Sequence, residues 1–254
     1  AIAHGVPAVT ASYVNEEMQA LDAKAKAAGV VVLNEMGLDP GMDHMSAQKV
    51  IDEVQRDGGH ITSFSSLCGG LPAPEAANNP LMYKFSWSPL GVLRASQNSS
   101  RYIDGGDTVN VDGSDLLRAA RPTATGVFPT LSLEHLPNRD SIPYGDIYGI
   151  GGEHCKKIYR GTLRYAGWSA IMEEFRKAGL TSSEAGEPYQ WGDAMPMDWK
   201  TLMEEIQQHH DLSVLSAEAQ ECLEWLGCYN ADEPVALGSD SVLDAFCELL
   251  QKRL

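Results

Sequence analysis

Val30-Val31-Val32-Leu33, followed at once by Asn34-Glu-Met-Gly-Leu-Asp-Pro-Gly-Met-Asp-His44, is the stretch on which the fold reading rests. Four consecutive apolar residues, three of them β-branched, read as a strand buried on both faces. Gly37 to Gly41 breaks the pattern directly behind it. Working upstream, Gly29 suits the end of a helix on which Met18, Leu21, Ala25 and Ala28 recur at helical spacing. Asn15 is placed to cap that helix, with Glu16 and Glu17 in its first turn. Ala8-Val9-Thr10-Ala11 precedes it as a short strand. The opening is therefore β-α-β, the unit of a parallel α/β sheet, but too little of it to close a domain.

Downstream, a helix resumes with Met45, Val50, Ile51 and Val54 on one face and ends before Gly58-Gly59. Strands are expected over His60 to Leu67, Asp107 to Val111, Pro129 to His135 and Lys157 to Tyr165, with a short helix near Leu90 to Ser96. From Gly167 the texture is helical. Trp168, Ile171, Met172 and Phe175 form one stripe, Leu202 and Ile206 another, and Leu215, Ala219, Cys222, Leu223 and Leu226 a third. Ser241-x-x-Asp244 resembles a capping box with Asp in place of Glu and opens a last helix.

Composition narrows the function classes. The chain of 254 residues carries a net charge of -16, the wrong sign for a general nucleic-acid or anionic-membrane binder. No apolar run reaches the roughly 18 residues of a membrane span, and no signal-peptide pattern opens the chain. The five cysteines are odd in number and lack C-x-x-C or Cys/His zinc spacing, so they read as reduced thiols in a cytoplasmic or organelle-matrix protein with no metal site.

Local pattern leaves several residues open to two readings. Ser12-Tyr13 and Leu38-Asp39 follow inferred parallel strands, where ligands of open α/β sheets bind, yet Asp39 and Asp43 also suit helix capping. Cys68-Gly69-Gly70 permits a close backbone approach to a ligand or a plain tight turn. Arginines in Asn138-Arg-Asp-Ser141 and Arg160-Gly-Thr-Leu-Arg164 suit surface ion pairs or a bidentate grip on carboxylates. Gly149-Ile-Gly-Gly152 has His154 where a phosphate-binding fingerprint needs its third glycine, and is rejected as one. His209-His210 has no third ligand nearby and reads as a solvated face.

Taken in order, six blocks resemble one family. They are Val9-Thr-Ala-Ser-Tyr-Val14, Asn34 to His44, Cys68-Gly-Gly-Leu-Pro-Ala-Pro-Glu75, Asn79-Pro-Leu-Met-Tyr-Lys-Phe-Ser-Trp-Ser88, Pro137-Asn-Arg-Asp-Ser141 and Arg160-Gly-Thr-Leu-Arg-Tyr165. Together they are similar to the glutamate-forming saccharopine dehydrogenases over residues 7–178. The resemblance implies an oxidoreductase of lysine metabolism that interconverts saccharopine with L-glutamate and 2-aminoadipate 6-semialdehyde, using NAD or NADP. It implies substrate contacts at Ser12, Tyr13, Arg139, Thr162, Leu163 and Arg164, and cofactor contacts at Leu38, Asp39 and Ser88. Asp39, Cys68 and Tyr13 are the candidates for moving protons, since the chemistry needs a group that cycles between acid and base forms. A homodimer, and a fusion to lysine-ketoglutarate reductase, are the partners the family suggests.

The implied architecture is α/β. Residues 1–38 read as the remnant of a Rossmann-type parallel sheet, 39–166 as a mixed α/β substrate domain, 167–238 as a helical subdomain and 239–254 as the start of a return to the first domain. The glycine fingerprint of the nucleotide domain does not occur in the sequence. The main pyrophosphate site is therefore expected upstream, and the chain alone is expected to bind NAD(P) weakly or not at all. The alternative reading is a catalytically silent substrate-binding or dimerisation fragment.

Overall fold

A computed structural model of the chain describes residues 1–124, 126, 128–183, 198–236 and 238–254. Strand β1 (Ala8–Val9) pairs in parallel with β2 (Val32–Leu33), and the helical segments α1 (Glu16–Ala20) and α2 (Asp22–Ala27) connect them. This is the expected β-α-β unit, and Asn15 caps it as read, its Oδ1 accepting from Met18 N at 2.8 Å. The strand burial is a correction. Val30 is buried, but Val31 is 57% and Leu33 47% exposed, because among the described residues β2 pairs with β1 alone. Along the open flank of β2 runs a cleft of about 650 Å³ lined by Met18, Leu21, Ala25 and Val30 to Glu35.

Helix α3 (Met42–Arg56) follows, and here too the expected face is corrected. Met45 and Val50 are exposed, while Ile51 is buried and Ala47 packs beside it. The stripe is His44, Ala47, Ile51 and Val54, set by three- and four-residue steps; Val50 falls on its exposed flank and Met45 on the far side. Next come β3 (Phe64–Cys68), α4 (Pro89–Ala95), β4 (Ser100–Asp104) and β5 (Asp107–Val111). The sequence reading missed β4. Gly105 and Gly106, both at positive φ (65° and 95°), make the two-residue turn of its hairpin with β5.

Strands β6 (Arg121–Pro122), β7 (Leu133–Pro137) and β8 (Ile158–Tyr165) form an antiparallel run, with a short α5 (Tyr144–Ile147) between the last two. The sheet order is β5-β4-β8-β7-β6, and β3 also pairs with β8. Helices α6 (Trp168–Lys177), α7 (Trp199–His209), α8 (Ala217–Leu226) and α9 (Val242–Arg253) complete the described elements. Their predicted stripes are the buried ones, including Phe175, Leu202, Ile206 and Leu223. The Ser241 cap holds, its Oγ accepting from Asp244 N at 3.1 Å. No described helix is long and apolar enough to cross a membrane.

The chain forms two compact units. The first comprises Ala1–Cys68, Ile103–Thr108 and Ser141–Tyr159; the second Gly69–Tyr102, Val109–Asp140 and Arg160–Leu254. The first has a small core of Ile51, Tyr148, Ile150, Cys155 and Ile158. The second buries the much larger cluster in which Phe175, Trp199 and Phe246 meet edge to face. No disulfide links the cysteines. Burial, aided by nearby acidic residues, pushes Cys222 and Cys247 up to about 12, so both are packing groups and not nucleophiles.

Candidate functional site

In the first unit, the loops after β1 and β2 carry Ser12, Tyr13, Leu38 and Asp39. They leave the carboxyl ends of neighbouring parallel strands, the usual ligand edge of such a sheet. The structure brings two of the predicted residues into contact: Tyr13 Oη donates to Asp39 Oδ1 at 2.9 Å. Ser12 turns tightly on Thr10, its amide donating to Thr10 Oγ1 at 3.1 Å. Leu38 is 62% exposed and presents an apolar surface beside Asp39. The Asp39–Pro40 peptide is cis.

The loop that presents Asp39 is closed by backbone bonds. Gly37 N donates to Pro40 O at 2.9 Å, and Met42 N to Gly37 O at 2.9 Å. Gly41 has φ 149°, and a side chain there would collide with the Gly37 carbonyl. The motif's second glycine is thus required by chain path. Asp43 Oδ1 accepts from Gly41 N at 2.8 Å, so of the two aspartates Asp43 braces the helix start while Asp39 faces Tyr13.

Sequence reasoning did not find what holds the Tyr13 segment. Glu35 has φ 58°, a left-handed conformation that costs a residue with a side chain of order 1–3 kcal/mol. Three contacts fix it there. Its N–H donates to Ser12 O at 3.1 Å, its Oε1 accepts from Val14 N at 3.0 Å, and its Oε2 lies 3.1 Å from His44 Nε2. That last approach is close enough for an ion pair but is angled away from a hydrogen bond. His44 Nδ1 is 2.6 Å from Tyr148 Oη, and its ring stacks on Tyr144. Cys68, the remaining predicted residue of this unit, closes β3 as a half-buried thiol.

In the second unit, alternation along β8 puts Thr162 and Arg164 on one face and Leu163 on the other. The register agrees, pairing Glu134 with Arg164 and Leu136 with Thr162. Leu163 meets Gly69, where an added Cβ would stand 2.5 Å from Leu163 O. The first glycine after Cys68 therefore serves a close backbone approach within the protein, whereas a Cβ at Gly70 would meet only Ser86 Oγ at 3.4 Å. Ser88 caps α4, its Oγ accepting from Gly91 N at 3.2 Å.

Arg164 is 6% exposed, its guanidinium carbon 5.0 Å from the Tyr83 ring centroid and 4.9 Å from that of Trp168. Nη1 donates to Leu163 O at 2.8 Å, and Nε has no partner. Burial pulls this guanidinium below its ordinary value, while Tyr83 and the Glu134 carboxylate act the other way. It remains a cation, because arginine starts so far above neutrality. Glu134 is committed to the start of α6, its oxygens accepting from Gly167 N at 3.1 Å and Ser169 N at 2.7 Å. The site is thus a buried cation beside a touching pair of aromatic rings, whose centroids are 6.0 Å apart, with hydrogen-bonding capacity left over.

Arg139 is exposed at φ 52°, another left-handed residue with a side chain. Its carbonyl accepts from Arg101 N at 2.9 Å, and the Arg101 guanidinium pairs with neighbouring Asp140 at 2.7 Å. Backbone strain held in place by surrounding bonds is common where a loop presents a side chain to a ligand.

Comparison with known proteins gives this geometry a family. The saccharopine dehydrogenase C-terminal domain matches residues 37–254. Alpha-aminoadipic semialdehyde synthase of Arabidopsis thaliana is 41% identical over 97% of this chain and 25% of its own length. Saccharopine dehydrogenase [NADP(+), L-glutamate-forming] of Schizosaccharomyces pombe is 38% identical over 99% of this chain and 58% of its own. An apo structure of saccharopine dehydrogenase (L-Glu forming) from Saccharomyces cerevisiae superposes with a TM-score of 0.81 at 35% identity, covering 99% of this chain and 58% of that one. The chain thus spans between 25% and 58% of these relatives. It belongs to the saccharopine dehydrogenase C-terminal domain family.

Proposed function

We propose that this chain carries substrate-handling residues of an NAD(P)-dependent, glutamate-forming saccharopine dehydrogenase. The observation that carries the reading is the 2.9 Å hydrogen bond from Tyr13 to Asp39 at the carboxyl ends of two parallel strands. The names of the relatives support it, since they include glutamate-forming saccharopine dehydrogenases.

The reaction oxidises the carbon beside a secondary amine to an imine, adds water, and collapses the carbinolamine to glutamate and a semialdehyde. The nicotinamide, when bound, supplies the hydride acceptor. Exposed Leu38 and the adjoining Asp39, at the ligand edge of the sheet, offer an apolar face and a carboxylate that suit a flat pyridinium ring and would stand beside it. Tyr13 donates a hydrogen bond to Asp39, a pairing that would let the two residues take a proton from the attacking water and return one to the departing amine. Cys68 is a further candidate for that traffic. Arg164, with a bare Nε–H beside its aromatic pair, and the exposed Arg139 would each grip a carboxylate of the tricarboxylate substrate, with Ser12 and Thr162 as further contacts and Leu163, whose side chain lies on the other face of β8, contributing through its main chain.

The wider assignments follow the family. Residues 1–38 would belong to the nucleotide-binding domain, 39–166 to the substrate domain, 167–238 to a helical subdomain and 239–254 to a return toward the first. Ser88 would lie near the nucleotide. Fusion to a lysine-ketoglutarate reductase, a homodimer, and a cytoplasmic or organelle-matrix setting complete the proposal; the mouse relative is named as mitochondrial.

The test is saccharopine-dependent reduction of NAD+ or NADP+ by the protein at its natural length. Tyr13→Phe and Asp39→Asn should each lower kcat by about 10²–10⁴-fold, the usual reach of acid–base catalysis. Saccharopine binding without turnover would mean a silent binding module, and neither binding nor turnover would overturn the assignment.

A further inference from the structure

Glu35 grips the chain on both sides of Tyr13. Its main-chain N–H holds the carbonyl of residue 12 at 3.1 Å, and its carboxylate holds the amide of residue 14 at 3.0 Å. Residue 13 is the one between, and its hydroxyl reaches Asp39. On its far side the same carboxylate meets His44 Nε2 at 3.1 Å. His44 comes from the first turn of α3, and Tyr148 Oη at 2.6 Å and the Tyr144 ring hold it in turn. Asp43 Oδ2 also faces this ring, 3.9 Å from His44 Nδ1. The result is a relay of fixed contacts from a buried aromatic corner to the reactive loop. Glu35 keeps a left-handed backbone that relaxation would favour abandoning, so the surrounding contacts over-determine its place.

We propose that Glu35 and His44 are positioning residues for the Tyr13–Asp39 pair. Glu35 clamps residues 12 and 14 so that the phenol points at Asp39, and the His44 ring backs the Glu35 carboxylate from its far side. Neither touches the reacting atoms. This rests on the reading of Tyr13 and Asp39 as the proton-handling pair. It adds a cause for the alignment of a tyrosine and an aspartate that sit on separate loops.

The test uses the protein at its natural length and three readouts: steady-state kinetics with saccharopine, thermal melting, and hydrogen exchange at the Val14 amide. Glu35→Gly removes the clamp and also relieves the backbone strain, so the fold should survive with a melting temperature near that of the parent. We expect its kcat to fall about tenfold or more with KM for saccharopine changed less than about threefold, the signature of lost transition-state alignment. Exchange at Val14 should accelerate. Glu35→Gln keeps an acceptor for Val14 and should recover most of kcat, while His44→Ala should fall between the two.

Unchanged kcat together with unchanged Val14 exchange in Glu35→Gly overturns the proposal. So does an equal loss of kcat in the Gly and Gln variants that tracks a lowered melting temperature, which marks a merely structural role. Tyr13→Phe at full rate would instead sink the proton-handling reading. In that event Val14 exchange in Glu35→Gly still decides whether the clamp exists.

Discussion

The Tyr13–Asp39 loops and the Arg164 slot are built by opposite means. The first are held by polar contacts over a small core, with two residues, Glu35 and Gly41, in backbone conformations that side chains rarely adopt. The second is set by packing, with Arg164 held against the Tyr83 and Trp168 rings of a large apolar cluster. A proton-moving pair needs donor and acceptor aligned to a fraction of an ångström, which directional hydrogen bonds supply. A carboxylate-binding cation needs desolvation, which an apolar wall supplies. The contrast predicts that mutations in the loops act on rate, while mutations in the packed unit act on stability or affinity.

The largest expected effect is in the packed unit. Phe246 is fully buried, with ring centroids 5.6 Å from Phe175 and 6.2 Å from Trp199. Phe246→Ala should destabilise by about 3–5 kcal/mol, from lost transfer energy plus the cavity left behind. Urea denaturation measures it. A loss below about 1 kcal/mol would mean that this cluster is not the load the second unit rests on.

Arg164 sharpens the comparison because stability and function should separate there. Replacing a buried charge by a well-packed apolar chain is often neutral or stabilising, even where its partners were adequate. Here the guanidinium has one hydrogen bond and a bare Nε. Arg164→Met should therefore melt at or above the parent's temperature. KM for saccharopine should nonetheless rise by roughly 10–100-fold, the worth of about 1.5–3 kcal/mol for a charged hydrogen bond. Lower stability with an unchanged KM would make Arg164 a structural residue.

How far each region could be read from sequence follows the same division. Asn15 and Ser241 were legible as caps, and the stripes of α6, α7 and α8 as buried faces, because both signals lie within one or two turns of chain. The hairpin of β4 and β5 was half seen: Asp107 to Val111 alternates, whereas Ser100 to Asp104 carries Arg101 and Asp104 and hides its β character. The α3 face was misjudged because Met45 and Val50 are the most conspicuous apolar residues there, yet they lie off the stripe through Ile51. Tyr13 and Asp39 came from the family resemblance, and local pattern by itself allowed Asp39 to be a cap. The Glu35 clamp had no local signal. Its supports include Tyr148, 104 residues from His44, and a positive φ that nothing about a glutamate announces.

The smallest effect concerns two buried carboxylates of the packed unit. Burial pushes Glu173 upward, but the Arg176 hydrogen bond and the charges of Arg176, Lys177 and Arg118 hold it below the ordinary carboxylate value. Glu233 is held down first by Lys252, against the upward push of burial, and then by Arg253. A carboxylate depressed in the folded state gives stability that is fully present above its unfolded value, about 4.3, and is lost as pH falls through its folded value. The urea midpoint should therefore hold steady from neutrality to about pH 5 and fall in the acid range below. The contribution is small because Lys177, Lys252 and Arg118 are about half exposed (49%, 58% and 52%), where solvent and salt screen them. Replacing both carboxylates, Glu173→Gln with Glu233→Gln, should flatten the acid limb of the midpoint curve and lower its neutral plateau. An acid limb as steep as the parent's would place the acid sensitivity elsewhere, in carboxylates such as those of the polar first unit, and the contrast between the two regions would then extend to pH.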